Sequence, residues 1–337
     1  MRIGPHDLDS RVLIVAEIGN NHEGDFARAE AMIQAAAEAG ADVAKFQTIV
    51  PTRLTSAREK ARIELLSRFQ FTPDQFRRLA ETAAAAGLLF VSTPFDIGSA
   101  EMLAPFVPAF KIASGDNDFF PLLSAVARTG KPVLLSTGLL DLAGVARAKA
   151  HLEAEWQRAG VQGEIALLHC VVAYPTPDDQ ANLGAIRDLA RLGATVGYSD
   201  HTPGIEAAVL SVALGARVVE KHFTLDRDLS DFRDHKLSAD PRDFAEMVRR
   251  IRLAEAMLGP GVKRPMPAEE PNAPAVRRSI AAARTLEAGT VIAPGDLTWV
   301  RPRRGLAPGH EDELIGRRLA VQVEDGDVVL PEHLAGA

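Results

Sequence analysis

The chain contains a single cysteine, Cys170. An intrachain disulfide is therefore impossible, and so is a zinc cluster built on thiolates. Its setting, "IALLHCVV", reads as a buried strand position. No apolar run approaches the length of a membrane span, and the opening "MRIGPHDLDSRV" lacks the apolar core of a signal peptide. The expectation is a cytoplasmic protein without a membrane partner. An excess of positive charge is also missing. Lys and Arg number 38 against 45 Asp and Glu, a formal net charge of -7, which argues against a nucleic-acid partner. An anionic small molecule would need a local cluster of cations. A Gly-rich dinucleotide turn after the first strand is absent too, which weighs against an open doubly wound sheet.

What is present is a regular alternation. The 337 residues are 47% hydrophobic and 25% charged, suited to one large domain or a large domain with a small companion. Apolar β-prone runs, "VLIVAEIG", "DVAKFQT", "LLFVSTP", "AFKIASG", "PVLLSTG", "IALLHC", "TVGYSDH" and "RVVEKHF", alternate with amphipathic stretches. The latter include "ARAEAMIQAAAEAG" and "PDQFRRLAETAAAAG", the second opened by Thr72 as N-cap. Gly40, Gly87, Gly130 and Gly215 stand where helices end before strands. Eight such units in about 260 residues predict an α/β fold of the (β/α)8 TIM-barrel type.

Each run begins apolar and ends polar. Glu17 closes the first, ahead of "NNHEG". Lys45 with Gln47, Thr93, Lys111 with Ser114, Ser136, Ser199 with His201, and Glu220 with His222 close others. Alternation puts Lys45 with Gln47, Ser199 with His201, and Glu220 with His222 on shared faces. Polar groups gathered at strand carboxyl ends are how a barrel builds a catalytic mouth. A lone lysine there could pair structurally with an acid, and a lone histidine could be a satisfied core residue. Two lysines among four hydroxyls instead suit a phosphate or carboxylate. Two histidines on neighbouring strands suit a shared divalent cation, with Mn2+, Mg2+ or Co2+ as acceptable as zinc.

After "AEAMLGPG" the pattern breaks into the proline-rich "VKRPMPAEEPNAPAV". The expected organisation is a barrel over residues 1–260, a linker over 261–276 and a small β-rich domain over 277–337.

Together, "AEIGNNHEG", "AKFQT", "STPFD", "FKIASGD", "LSTG", "LLHCVVAYPTP", "GYSDHT" and "EKHFTLDR" resemble the sialic acid (nonulosonate) synthase family. The tail "RRSIAAARTLEAGTVIAPGDLTWVRP" is similar to that family's SAF, or antifreeze-like, domain. The resemblance implies condensation of phosphoenolpyruvate with an N-acyl-mannosamine-type aldose, releasing phosphate and forming a nine-carbon 3-deoxy-2-keto acid. It implies that Lys45, Thr93, Lys111, Ser114, Ser136 and Ser199 hold phosphoenolpyruvate and that His201 and His222 bind the cation. Glu17, Glu220 and Asp234 become the catalytic candidates. Gln47, Asp116, Tyr174 and Arg301 become sugar-side candidates, with Arg301 reaching a neighbouring subunit in a domain-swapped homodimer.

Four departures from the family pattern fall on the sugar side. Asp116 replaces a glutamate usual in the N-acetylneuraminate branch, and Val172 replaces an Asn or Ser. "DLSDFRDH" replaces a Gly-Pro-Asp approach to Asp234, and "RPRRG" an Arg-Pro-Gly-Thr-Gly loop. They point to the same chemistry on another aldose, of legionaminic or pseudaminic type or a neutral sugar. Two other classes remain open: a Schiff-base aldolase using Lys111 or Lys45, and a non-catalytic sugar-binding protein.

Overall fold

In the computed structural model, which describes residues 1–336, eight parallel strands form one sheet. They are β1 (Leu13–Gly19), β2 (Val43–Thr48), β3 (Leu89–Pro94), β4 (Phe110–Ile112), β5 (Val133–Ser136), β6 (Ile165–Cys170), β7 (Thr195–Asp200) and β8 (Val218–His222). Hydrogen bonds run in the order β3-β2-β1-β8-β7-β6-β5-β4, so the first strand pairs with the last. β3 and β4 lie alongside each other and complete a near-closed TIM-like barrel.

The sequence explains the joints. Thr72 caps the helix Pro73–Ala85, its hydroxyl accepting from the Gln75 amide while Gln75 bonds back to the Thr72 amide. The helix Phe26–Glu38 is instead capped by Asp25. Gly40, Gly87, Gly130 and Gly215 all take positive φ, from 69° to 106°, where a side chain would be strained.

Alternation sorts the strands into two apolar layers. Ile14, Ala16, Phe46, Phe90, Leu135 and Val219 pack toward the helices. Val15, Val43, Val91, Leu134, Leu168 and Val218 pack inside the barrel. A hairpin of Arg2–Ile3 with His6–Asp7 precedes β1, and its Ile3 and Leu8 are fully buried against that interior layer. The hairpin plugs the amino end of the barrel, a feature not expected from the sequence. Each of these two side chains contributes about 1.5–3 kcal/mol by leaving water. Gly197 of β7 faces the same interior, and a Cβ there would lie 2.6 Å from the Val218 carbonyl oxygen.

Among the described residues, no helix is long and apolar enough to cross a membrane. A second compact unit begins at Pro260. Residues 261–276, expected as linker, contain a turn at Pro267–Glu269 and a short helix at Ala273–Val276, and the Pro274 carbonyl accepts from the Arg303 amide. This stretch therefore belongs with the tail. The unit holds the antiparallel pair β9 (Ser279–Ala282) and β10 (Leu297–Val300) over a small core of Ile280, Leu286, Ile292, Leu314, Val323 and Val329. Its strands are short because its apolar residues come in twos and threes between turn-forming glycines and prolines.

Candidate active site

The interior positions that follow the apolar layers are polar. One step along each strand from Val15, Val43, Val91, Leu134 and Val218 come Glu17, Lys45, Thr93, Ser136 and Glu220, and these line a cavity of about 730 Å³ at the carboxyl end of the barrel. Gln47, Lys111, Ser114, Tyr174, Ser199, His201, His222 and Asp234 line the same cavity. Asp116 does not, although its neighbour Gly115 does. Its half-buried carboxyl is pushed up to about 6 by burial and by Asp118. Arg301 stands in the second unit.

At the floor the charges form a row. Lys45 Nζ lies 2.5 Å from Glu17 Oε2, 3.2 Å from Thr93 Oγ1 and 3.7 Å from Glu220 Oε2. Lys111 Nζ lies 3.5 Å from Glu220 Oε1, which also accepts from Ser199 Oγ at 2.8 Å. Gln47 Nε2 donates to Glu17 Oε1 at 2.8 Å, and Asn20 Nδ2 donates to Gln47 Oε1 at 3.0 Å. The lysines are thus not a bare cationic cradle. Each faces a carboxylate, and the row is electrically balanced.

The two carboxylates are pushed apart. Burial drives Glu17 above the usual carboxylate range and the charge of Glu220 adds to it, while Lys45 and Gln47 pull back without cancelling them. Burial acts on Glu220 as well, but Lys111, Lys45 and the Ser199 hydroxyl outweigh it and hold Glu220 below that range. Paired carboxyls whose surroundings separate them in this way divide into a proton carrier and a fixed anion. Burial and Lys45 also push the Lys111 ammonium down, against the pull of Glu220.

Beside this row stand the histidines. Their ring centroids are 5.3 Å apart. His201 Nδ1 lies 2.8 Å from the Val171 carbonyl oxygen, which fixes Nδ1 as a protonated nitrogen. Burial opposes the charged ring, but Cys170, that carbonyl and Glu220 together hold its proton affinity above the ordinary histidine range. His222 Nδ1 is buried without a hydrogen-bond partner, and burial with the nearby cationic groups holds its ring neutral. Among the described residues no three His, Cys, Asp or Glu side chains converge as a ready-made cage. Two neighbouring imidazoles, one with an orphaned buried nitrogen, fit a cation whose remaining positions are filled by substrate or water.

Family comparisons agree on this chain. The model of the NeuB family matches residues 32–263, and that of the SAF domain matches residues 277–335. The chain belongs to the NeuB family. This NeuB-family chain is 36% identical over 347 residues to the N,N'-diacetyllegionaminic acid synthase of Legionella pneumophila, covering 98% of this chain and 97% of that one. It is 33% identical to the N-acetylneuraminate-9-phosphate synthase of Homo sapiens, over 95% of this chain and 91% of the relative. A crystal structure of N-acetylneuraminic acid synthetase from Leptospira borgpetersenii superposes with a TM-score of 0.72 at 35% identity, covering 78% of this chain and 90% of that one.

Several lining residues of this NeuB-family site were not anticipated. Arg62, Leu65, Leu66 and Phe69 come from the connection between β2 and the helix Pro73–Ala85, which carries a helix at Lys60–Ser67. The readable signal was its length, because a connection longer than about 12–15 residues usually carries function. Cys170, expected as a buried strand residue, is buried and also faces the cavity. Of the departures from the family pattern, Val172 and the run from Asp231 to Asp234 line the cavity. The "NNHEG" loop divides its labour. Asn21 Nδ2 donates to the Phe223 carbonyl and to Ser238 Oγ. Glu23, at a left-handed φ of 50°, accepts from Ser230 Oγ and lies 3.2 Å from His235 Nε2. This loop ties down the segment that carries Asp234.

Proposed function

We propose that this chain condenses phosphoenolpyruvate with the aldehyde of an N-acylated, mannosamine-type aldose, giving a nine-carbon 3-deoxy-2-keto acid and phosphate. The observation that carries the reading is the row Glu17–Lys45–Glu220–Lys111 at the cavity floor. An anion enters a floor whose two cations are already matched by two carboxylates. A protonated Glu17 leaves one positive charge in excess, and the raised affinity of Glu17 for its proton favours that state. Lys45, Lys111, Thr93, Ser114, Ser136 and Ser199 then hold the phosphate and carboxylate of phosphoenolpyruvate by charge and hydroxyl donors.

C3 of the enol attacks the aldehyde carbon, the aldehyde oxygen gains a proton to become a hydroxyl, and positive charge is left at C2. Water adds at C2 with loss of a proton. The tetrahedral intermediate then collapses by breaking the bond between C2 and the bridging oxygen, so that oxygen leaves with phosphate. Glu17, protonated when phosphoenolpyruvate enters, gives that proton to the aldehyde oxygen. Its carboxylate then takes the proton of the attacking water, returns it to the departing phosphate and recovers one from the C2 hydroxyl as the ketone forms, a service typically worth about 10²–10⁴-fold. Glu220, kept ionised, holds both lysines in place. His201 and His222 would hold a divalent cation, with Mn2+, Mg2+ or Co2+ as candidates. When bound, the cation supplies Lewis-acid polarisation of a carbonyl oxygen.

On the sugar side we assign Gln47, Tyr174 and Asp234 to the acceptor. Tyr174 lies 4.3 Å ring to ring from His201 and under the Arg233 guanidinium. Val172 and the 231–234 run support an acceptor other than N-acetylmannosamine, of legionaminic or pseudaminic type. The active form we read as a cytoplasmic, domain-swapped homodimer in which Arg301 of one chain completes the mouth of the other. The family resemblance and the small core of the tail unit, which suits a domain that leans on a larger partner, support this.

The deciding experiment is phosphate release with phosphoenolpyruvate, Mn2+ and a panel of mannosamine, diacetamido-hexose and neutral aldoses. Label in the bridging oxygen should appear in the phosphate, and retention in the sugar acid would overturn the mechanism. The depressed Lys111 gives a Schiff-base aldolase one supporting observation. Borohydride trapping of a keto acid on Lys111 would establish that reading instead.

A further inference from the structure

Behind the two histidines, on the helix-facing side of the barrel, lies a buried ion pair that the mechanism above does not use. Asp200 and Lys221 are ladder partners on β7 and β8. Each immediately precedes a histidine in sequence, Asp200 before His201 and Lys221 before His222. Alternation therefore turns the histidines inward and this pair outward. The side chains are 0% and 1% exposed.

Lys221 Nζ donates to Asp200 Oδ2 at 2.9 Å and also to the Thr202 carbonyl oxygen. Asp200 Oδ1 accepts three bonds: from Tyr198 Oη at 3.1 Å, from the Thr202 amide at 2.8 Å and from Thr202 Oγ1 at 2.8 Å. Every bond beyond the pair itself ends on a residue close to His201. The Thr202 amide and carbonyl are both held, so His201 sits in a backbone bracket closed on each side. The bracket is anchored in β8 one residue before His222.

Stability alone does not account for this arrangement. The surrounding layer is built from Ile14, Ala16, Phe46 and Val219, and an apolar pair of similar volume there would be neutral or stabilising relative to a buried ion pair. What the pair offers is directionality. A carboxylate accepting four bonds and an ammonium donating two fix the end of one strand against the other, which an apolar contact cannot do. We propose that Asp200 and Lys221 are positioning residues that set the separation and orientation of His201 and His222 for a shared divalent cation. The inference rests on the reading of the two histidines as cation ligands.

The test uses the full-length protein with Co2+ as probe, whose visible absorption reports coordination geometry. The variants are Asp200→Asn, Lys221→Arg and the apolar double variant Asp200→Leu with Lys221→Met. The double variant is expected to retain its circular dichroism and to bind Co2+ about 10–100-fold more weakly, with an altered absorption band. Asp200→Asn, nearly isosteric, should weaken binding in the same direction. Lys221→Arg, which keeps the charge and two donors, should return most of the affinity. Phosphoenolpyruvate binding measured without metal should change little in any of them. Wild-type Co2+ affinity and spectrum in a folded double variant, or in Asp200→Asn should the double variant not fold, would overturn the proposal. Failure of the unmodified protein to bind Co2+, or undiminished binding in His201→Ala, would overturn the cation reading itself, and this inference with it.

Discussion

Lys45 and Glu17 face each other across the ladder between β1 and β2, with the ammonium 2.5 Å from the carboxylate and both side chains almost fully buried. Such a pair in a dry site is worth little as a source of stability. Its value lies in what happens when one partner changes charge, because the other is then left to act on whatever enters the cavity.

Glu17→Gln should lower kcat by about 10²–10⁴ while leaving the KM for phosphoenolpyruvate within a few-fold of its starting value, since proton transfer is needed only in the transition state. Steady-state phosphate release measures both. A raised KM at unchanged kcat would make Glu17 a binding group.

The same substitution has a stability signature. The folded state raises the affinity of Glu17 for its proton above that of the unfolded chain. In that window the native state binds more protons, so stability falls as pH rises. The penalty is absent below the ordinary glutamate value of 4.5, grows as pH climbs toward the raised folded value and is complete above it. Glu17→Gln should therefore be as stable as the parent in acid and gain on it toward neutral pH. Thermal unfolding at stepped pH checks this, and a difference that shrinks with rising pH would reverse the assignment.

Replacing His201 or His222 with Ala should remove bound divalent metal and phosphate release together while leaving circular dichroism unchanged. Elemental analysis after dialysis, with activity before and after chelation, tests both parts. Full turnover in chelator would exclude the cation from the reaction.

Gly197→Ala should destabilise the barrel by about 1–3 kcal/mol through overpacking, because the new methyl lies 2.6 Å from the Val218 carbonyl oxygen. Denaturant midpoints measure the loss. An unchanged midpoint would mean that β7 and β8 can part there at no cost.

Coexpressing an Arg301→Ala chain with a His222→Ala chain tests the domain swap. Each homodimer should be weak or inactive, whereas the mixed dimer pairs one intact barrel with one intact tail. It should recover up to about half of the parent's sites. Inactive heterodimers, together with a fully active tail-deleted chain, would overturn the swap.

The strands were legible because each is a short apolar run with a polar end, closed off by glycines that only a turn could use. The mouth was legible for the same reason, since Glu17, Lys45 and Glu220 each stand one interior step beyond a valine. Three things were not. Arg2–Ile3 and His6–Asp7 are too short to show a period, so the hairpin could not be read from its residues. The pairing of each lysine with a carboxylate depends on neighbours far apart in sequence, and local spacing carries no sign of it. Asp200 and Lys221 broke a local rule, being charges at positions that alternation turns toward an apolar layer, and only their ladder register explains why.

The hairpin that seats Ile3 and Leu8 against the interior layer turns the barrel into a vessel with one opening. Lys45 and Lys111 lie at the bottom, nearly inaccessible, while Tyr174 stands 37% exposed at the rim. Whatever occupies the floor must be first in and last out. Phosphoenolpyruvate is therefore expected to bind before the sugar, and phosphate to leave no earlier than the sugar acid above it. The order of reactants becomes a property of the container, set at the end of the barrel farthest from the chemistry.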